Sequence, residues 1–306
     1  MKALVPTGRP EALVALTDTS LPEPQPGEAL VKVEAFSVNR GEILRLEQPR
    51  PETRPGKDLA GLVVQAAADG TGPAAGQRVV GHPEAGGWAE YAVVPTAALA
   101  PLPASVPAVQ AAALPLAGLT ALRLLRTAGS VAGRRVLLTG ASGGVGHYVT
   151  ELAASSGAEI TAVTATAERG QRLAALGAAA IVRDIEGSAG PFDLVLESTG
   201  GKNLALATGR LAPSGTLIWF GQASRTPATL SFFDILGGPQ TVTIRSFAYW
   251  DSPVPYGHDL AVLLRLVATG RLHPEIGRLA GWEDAAATLT DLYQRRIRGN
   301  AVLTIP

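Results

Sequence analysis

Between Arg135 and Thr161 the chain reads RVLLTGASGGVGHYVTELAASSGAEIT, and this segment restricts the possible folds more than any other. The apolar run Val136-Leu137-Leu138 has the character of a buried strand and ends at Gly140. Ala141, Gly143 and Gly146 follow in the spacing A-x-G-x-x-G. An amphipathic helical pattern (Val145, Val149, Leu152, Ala153) then runs to Gly157, and a second strand begins. In this context a glycine triplet suits a dinucleotide. The small residue at the first position permits a tight turn, and the second glycine admits backbone to a diphosphate. The third lets the helix pack on the strand, with its positive end toward the phosphates. Ala141, Gly143, Gly144, Val145 and Gly146 are therefore the first candidate binding residues. The competing reading is a glycine-rich turn of an α/β protein with no ligand.

Around this segment the chain changes rhythm. The first ~115 residues carry short alternating runs, such as Ala29 to Glu34 and Leu62-Val63-Val64, between Pro- and Gly-rich turn clusters. A proline-laden stretch from Pro95 to Pro107 leads into helical pattern over Val109 to Arg126. Beyond it the pattern is βαβ, with strands predicted near 136–139, 160–164, 181–182, 193–197, 216–220 and 242–247. Gly177 and Gly270 are placed as helix C-caps, the latter after a helix over 258–269, and the last ~55 residues return to helix and a final strand, Ala301 to Ile305. The fold class is thus α/β. A dinucleotide-binding domain, 116–250, is inserted into a β-rich domain made of 1–115 and 251–306. Ligands of open α/β sheets bind beyond the carboxyl ends of the strands, which places the reacting end of a dinucleotide between the two lobes.

Composition narrows the chemistry. With 26 Lys and Arg against 26 Asp and Glu the formal charge is zero, and no basic stripe is present, so no nucleic-acid partner is expected. The N-terminus MKALVPTGRP lacks an apolar core with a cleavage site, and no apolar run approaches the ~20 residues needed to cross a bilayer. The expectation is a cytoplasmic enzyme acting on a small molecule, with no membrane partner. Cysteine is absent, which removes disulfides, thiolate nucleophiles and cysteine-ligated metals together. The four histidines, His82, His147, His258 and His273, are too scattered to suggest a metal pair.

Several further segments, in order, resemble the medium-chain dehydrogenase/reductase superfamily, and within it the zinc-free quinone oxidoreductase branch. They are Ser37-Val38-Asn39-Arg40-Gly41-Glu42, Pro55 to Gly61, Gly76 to Val80, Gly86 to Tyr91, Ala113 to Ala121, the glycine turn, and Phe192 to Gly201. The resemblance covers essentially the whole chain and implies a Rossmann domain inserted into a GroES-like domain. Zinc-dependent relatives carry cysteine where Asn39 stands and Gly-His-Glu where Gly56-Lys57-Asp58 stands. The resemblance therefore implies a metal-free protein that delivers hydride from NADPH to a quinone or to a polarised double bond.

The same resemblance assigns roles. Asn39 would donate its amide to the substrate oxygen or else satisfy its own turn, and Lys57 would either stabilise an enolate and supply a proton or stand as a solvated lysine. Asp58 is read as holding loop structure. Relatives often carry a tyrosine proton donor near the position of Leu44, so that role is vacant here. Thr120, Ser198, Thr199, Gly221, Phe247 and Tyr249 match cofactor contacts. The slot that usually holds an NAD-selecting acid falls at Thr164 or Ala165, and neither is acidic. Thr164, Thr166 and Arg169 would instead meet a 2′-phosphate, favouring NADPH over NADH, although Glu168 can be argued as the acid. His147 is read as a surface or packing residue. Phe232, Phe233, Tyr249 and Trp250 are read as pocket, core or interface. Relatives also imply a homodimer through the edge strand Val242 to Ser246. Two alternatives stand beside this reading. One is a trans-acting enoyl reductase on a carrier- or coenzyme-A-bound substrate, with Arg40, Arg45, Arg50 and Arg54 as a basic landing patch. The other is a non-redox nucleotide-binding relative.

Overall fold

The computed structural model describes residues 1–9, 12–47 and 54–306. The elements, in chain order, begin with β1 (Lys2–Arg9), β2 (Ala12–Asp18), β3 (Glu28–Val38), α1 (Arg40–Leu46), β4 (Leu59–Gln65), β5 (Arg78–Gly81), β6 (Tyr91–Pro95) and β7 (Leu99–Pro101). Next come α2 (Ala108–Ala112), α3 (Pro115–Ala128), β8 (Arg135–Leu138), α4 (Gly144–Ser155), β9 (Glu159–Val163), α5 (Ala167–Ala175) and β10 (Ala180–Val182). They continue with β11 (Phe192–Glu197), α6 (Lys202–Thr208), β12 (Leu211–Trp219), α7 (Phe232–Gly237) and β13 (Thr243–Ser246). The chain ends with α8 (Tyr256–Ala268), β14 (Ile276–Gly281), α9 (Ala285–Tyr293) and β15 (Asn300–Thr304). Two compact units result: Met1–Leu119 with Pro253–Pro306, and Thr120–Ser252.

The first unit is built on a seven-stranded sheet, ordered β14-β15-β3-β4-β5-β7 with β6 also pairing β3, together with the antiparallel pair β1-β2. Its core gathers Phe36, Ile43, Leu59, Trp88, Trp282 and Leu303, with the Phe36 and Trp88 rings stacked at 5.8 Å. The second unit is a six-stranded parallel sheet ordered β10-β9-β8-β11-β12-β13. Its central strands are almost continuously apolar and buried, as strands covered on both faces must be. The order runs outward in both directions from β8 and β11, so the topological switch point lies between these two strands. Among the described residues no helix is long and apolar enough to cross a membrane.

Three sequence expectations are corrected. The helical pattern Val109 to Arg126 is two helices, because Pro115 has no N–H to continue the first and instead opens α3. The strand expected near 216–220 begins at Leu211. A register shift beside Ser214, whose φ is 63°, and Gly215 makes the strand's first half read as a turn. Strand β14 was hidden by Gly277 and Gly281 at either end. By contrast Gly157, Gly177 and Gly270 all follow helices with φ between 66° and 96°, the left-handed conformation of a C-cap.

The glycine turn depends on one close approach. A Cβ at Gly146 would stand 2.3 Å from the Ala141 carbonyl oxygen and 2.5 Å from its carbon, both backbone atoms that cannot step aside. Replacing Gly146 by Ala is expected to destabilise the protein by roughly 3 kcal/mol in urea denaturation. A midpoint unchanged from wild type would contradict this reading of the turn.

Candidate functional site

The turn between β8 and α4 leaves the strand through Gly140, whose φ of 62° is the left-handed value. The tight bend is therefore made there and not at Ala141, which is fully buried and donates its N–H to Val163 O at 3.2 Å. Gly143 is the N-cap of α4, and no side chain caps that helix. A Cβ on Gly143 would meet only Gly140 O, at an ordinary 3.5 Å. The protein's own packing thus does not demand glycine at 143, whereas a backbone-hugging ligand would. The N–H groups of Gly144, Val145 and Gly146 form the first turn and point out of the helix end, where an anion is favoured.

The neighbouring loops close around this turn. Thr139, just past β8, donates through Oγ1 to Glu197 Oε1 at 3.0 Å and accepts from Ser198 N at 2.8 Å. Ser198 Oγ donates back to Thr139 O at 3.0 Å. Gly221 lies against Ser198, where a Cβ would fall 2.9 Å from Ser198 O. The Phe247 amide donates to Trp219 O at 3.0 Å, and the Tyr249 carbonyl accepts from Arg123 Nη1 at 2.8 Å. Both of these main-chain groups are thus engaged by the protein itself. Thr120 is buried in α3.

At the end of β9 the expectation for Thr164 is corrected. Its side chain is buried and donates its proton to Thr166 O at 2.9 Å, so it is not a free phosphate donor. Thr166 caps α5, accepting from Arg169 N at 3.3 Å. Arg169 is drawn toward the glycine turn, its Nε donating to Ser142 Oγ at 3.1 Å, while Glu168 is exposed. His147 is fully buried, with Nδ1 2.9 Å from Gly143 O, which leaves the packing half of its expectation and discards the surface half.

In the other unit a polar cluster is buried where β3, α1, β4 and β5 meet. Asp58 has no exposed surface. Its Oδ2 accepts from Ser37 Oγ at 2.5 Å and Asn39 Nδ2 at 2.6 Å, and its Oδ1 from Leu116 N and His82 Nδ1, each at 3.0 Å. Glu42 Oε2 accepts from Asn39 N at 2.9 Å, and its Oε1 from Gly56 N at 3.1 Å and Lys57 N at 3.0 Å. The expected role of Asn39 is therefore corrected. Its amide hydrogens are held by Asp58, Ser37 and Glu42, so they are not presented to a substrate. Lys57 is half-buried. Burial, then the charge of Arg45, hold its ammonium below the usual lysine range, against the pull of Glu42, Glu84 and Asp58. Leu44 is exposed, as are Phe232, Phe233 and Trp250, while Tyr249 is buried. Arg50 lies outside the described residues. Among the described residues no group of three or more His, Cys, Asp or Glu side chains is arranged to hold a metal ion.

Sequence reasoning missed Glu197 and Thr139 altogether and gave His82 no part in the cluster. The signal for Glu197 was present: an acid ending an apolar strand, followed by Ser-Thr-Gly-Gly, has no solvent to face and must collect donors from its own loop.

Comparison with known proteins agrees with this architecture. The alcohol dehydrogenase GroES-like domain family matches residues 25–104, and the zinc-binding dehydrogenase family matches residues 144–267. The quinone oxidoreductase of Sus scrofa is 30% identical over 97% of this chain and 95% of its own length. The spectinabilin polyketide synthase system protein NorB of Streptomyces orinoci is 33% identical over 92% of this chain, but the match occupies only 13% of that protein. Likewise, the chain matches about half (49%) of the chloroplastic quinone-oxidoreductase homolog of Spinacia oleracea. The mycobacterial protein Rv1454c, solved in complex with NADPH, superposes with a TM-score of 0.89 at 26% identity over the full length of both chains. The fold is that of a Rossmann-type unit inserted into a GroES-like one. The chain belongs to the medium-chain dehydrogenase/reductase superfamily, in its quinone oxidoreductase branch.

Glu42 gives this cluster a pH signature. Burial, then the adjacent charge of Asp58, raise its carboxyl from 4.5 to about 8, against the lowering effect of its N–H donors. A raised folded-state value means that the folded chain holds the proton more tightly than the unfolded one. The stability this confers is complete below about pH 4.5 and is lost as pH rises toward 8. Thermal melts of wild type are expected to fall across that window by on the order of a few kcal/mol relative to the E42Q variant, which cannot titrate. Parallel curves for the two proteins would contradict the assignment.

Proposed function

We propose that the protein is a zinc-independent, NADPH-dependent oxidoreductase that reduces a quinone or an activated carbon–carbon double bond of an enone or enal. The observation that carries this reading is the α4 N-terminus: a helix end without a side-chain cap, with Gly143 open on the side away from the protein and Arg169 tied to Ser142 beside it. The first-turn amides would hold the diphosphate, and the Arg169 guanidinium is the cation nearest in chain to the slot for a 2′-phosphate. Ser198, Thr199, Gly221, Phe247 and Tyr249 stand at the carboxyl ends of β11, β12 and β13, where the remainder of the cofactor would lie. The relatives supporting the chemistry are the Sus scrofa enzyme and the NADPH-bound mycobacterial protein.

When bound, the nicotinamide supplies a hydride to one end of the conjugated system, and a proton must reach the other end to complete the two-electron reduction. Lys57 is the group proposed to provide it, since partial burial makes its ammonium a readier acid than a solvated lysine. Zinc independence is proposed on donor chemistry. The chain has no cysteine, the Asn39 amide is bonded to Asp58, and an ammonium at Lys57 is not a zinc ligand. A cytoplasmic location is proposed with it. So is a homodimer, because β13 is an edge strand with all four residues exposed. Placing lysine at Ile244 is expected to move the solution mass toward the monomer in light scattering, and an unchanged mass would contradict that pairing.

A second reading is favoured by one observation. The NorB match spans nearly this entire chain as a small segment of a much longer polyketide synthase system protein. An enoyl group held as a carrier or coenzyme-A thioester presents the same polarised double bond. The test is loss of nicotinamide absorbance with a panel of quinones, enals and enoyl thioesters. Turnover is expected with at least one class, and the class with the highest kcat/KM decides between the readings. NADPH binding without turnover across the panel would contradict both and favour a non-redox role. In the same assay Arg169→Ala is expected to raise KM for NADPH about 10-fold while leaving that for NADH nearly unchanged. Equal changes for the two cofactors would contradict the assignment of Arg169.

A further inference from the structure

Glu197 ends β11 with its side chain fully buried. Its Oε1 accepts from Thr139 Oγ1 at 3.0 Å, from Thr199 N at 2.8 Å and from the Thr199 hydroxyl, and its Oε2 accepts from Gly200 N at 2.9 Å. The polarity of both hydroxyls is fixed by other groups. Thr139 Oγ1 accepts from Ser198 N at 2.8 Å, and Thr199 Oγ1 accepts from Asn203 Nδ2 at 3.0 Å, so each has its single proton to give to Glu197. Every one of these hydrogen-bond partners donates to Glu197, and among the described residues no cation pairs with the group. The shell is built for a carboxylate anion held by neutral dipoles alone, an arrangement that needs several good donors to exist away from water.

Its place in the sheet gives this anion a role beyond joining two loops. The strand order diverges between β8 and β11, and Glu197 bridges their carboxyl-terminal ends through Thr139 on one side and Thr199 and Gly200 on the other. That divergence is where a ligand of an open α/β sheet crosses from one half-site to the other. A nicotinamide dinucleotide carries the same phosphates and adenosine in both oxidation states. Only its ring changes, from a cation when oxidised to a neutral group when reduced. We propose that Glu197 is a positioning residue whose fixed negative charge at the switch point favours the oxidised, cationic ring over the reduced one. This makes the bound reduced cofactor a stronger hydride donor. The inference rests on the nicotinamide reading of the preceding section.

The test is calorimetric measurement of dissociation constants for NADP+ and NADPH with wild type, E197Q and E197D. A role limited to holding the loops weakens both forms alike. The charge role raises the ratio Kd(NADP+)/Kd(NADPH) in E197Q by about 5-fold, the size of one screened unit-charge interaction, and leaves the ratio in E197D within about 2-fold of wild type. Where E197Q does not fold, E197A is measured instead, its vacated volume admitting water to the two amides. A ratio unchanged in the neutral variant, with both forms bound by wild type, overturns this inference alone. Wild type that binds neither form overturns the nicotinamide reading and this inference with it.

Discussion

The contact between Gly146 and the Ala141 backbone sets the position of everything proposed for the cofactor. At that spacing no side chain can intervene, so the first turn of α4 is pressed onto the end of β8 and its amide groups are aimed past the strand. The left-handed Gly140 turns the chain into that position, and a Cβ there would also collide with Ser198 Oγ at 2.5 Å. Gly140 and Gly146 are thus restricted by backbone geometry, and the proposed diphosphate would add a restriction at Gly143. Around them the Glu197 shell, with Thr139, Ser198, Thr199 and Gly200, locks the two central loops of the sheet together, so the cradle is rigid on both flanks.

The polar cluster of the other unit has a different logic. Two buried carboxyls, Asp58 and Glu42, share Asn39 as a donor, and between them they fasten α1, the start of β4, His82 at the end of β5 and the first turn of α3. In zinc-dependent relatives, as the resemblance implies, the corresponding positions supply metal ligands. Here Asn39 and Asp58 meet in a direct hydrogen bond, and a network of N–H and O–H donors onto carboxyl oxygens occupies the place. The raised carboxyl of Glu42 follows from crowding two acids into one dry region, and the depressed ammonium of Lys57 follows first from burial at its margin.

Much of this was legible in the sequence because the Rossmann segment is written in local rules. Strand, glycine turn, amphipathic helix and capping glycine each leave a mark within a few residues, and the edge position of β13 follows from the order of βαβ units. What escaped were features made by partners distant in sequence. Asn39 matched a substrate-contact position, but its amide is taken by Asp58, 19 residues away. Thr164 looked like a waiting hydroxyl, yet its partner is the carbonyl of Thr166, a choice of rotamer that no sequence pattern encodes. Glu197 marked itself as an acid closing an apolar strand, but its partner Thr139, 58 residues earlier, left no local trace. Proline and glycine misled where they do more than terminate: Pro115 starts a helix, and Gly215 bends a strand without ending it.

The proposed cofactor site depends on the amides between Gly143 and Gly146 receiving a diphosphate. A crystal of the protein grown with NADPH measures it most directly. The diphosphate oxygens are expected within hydrogen-bonding distance of the Gly144 and Val145 amides, with the 2′-phosphate beside Arg169. A nucleotide bound elsewhere, or a turn whose amides are capped by the protein and closed to ligand, would contradict it.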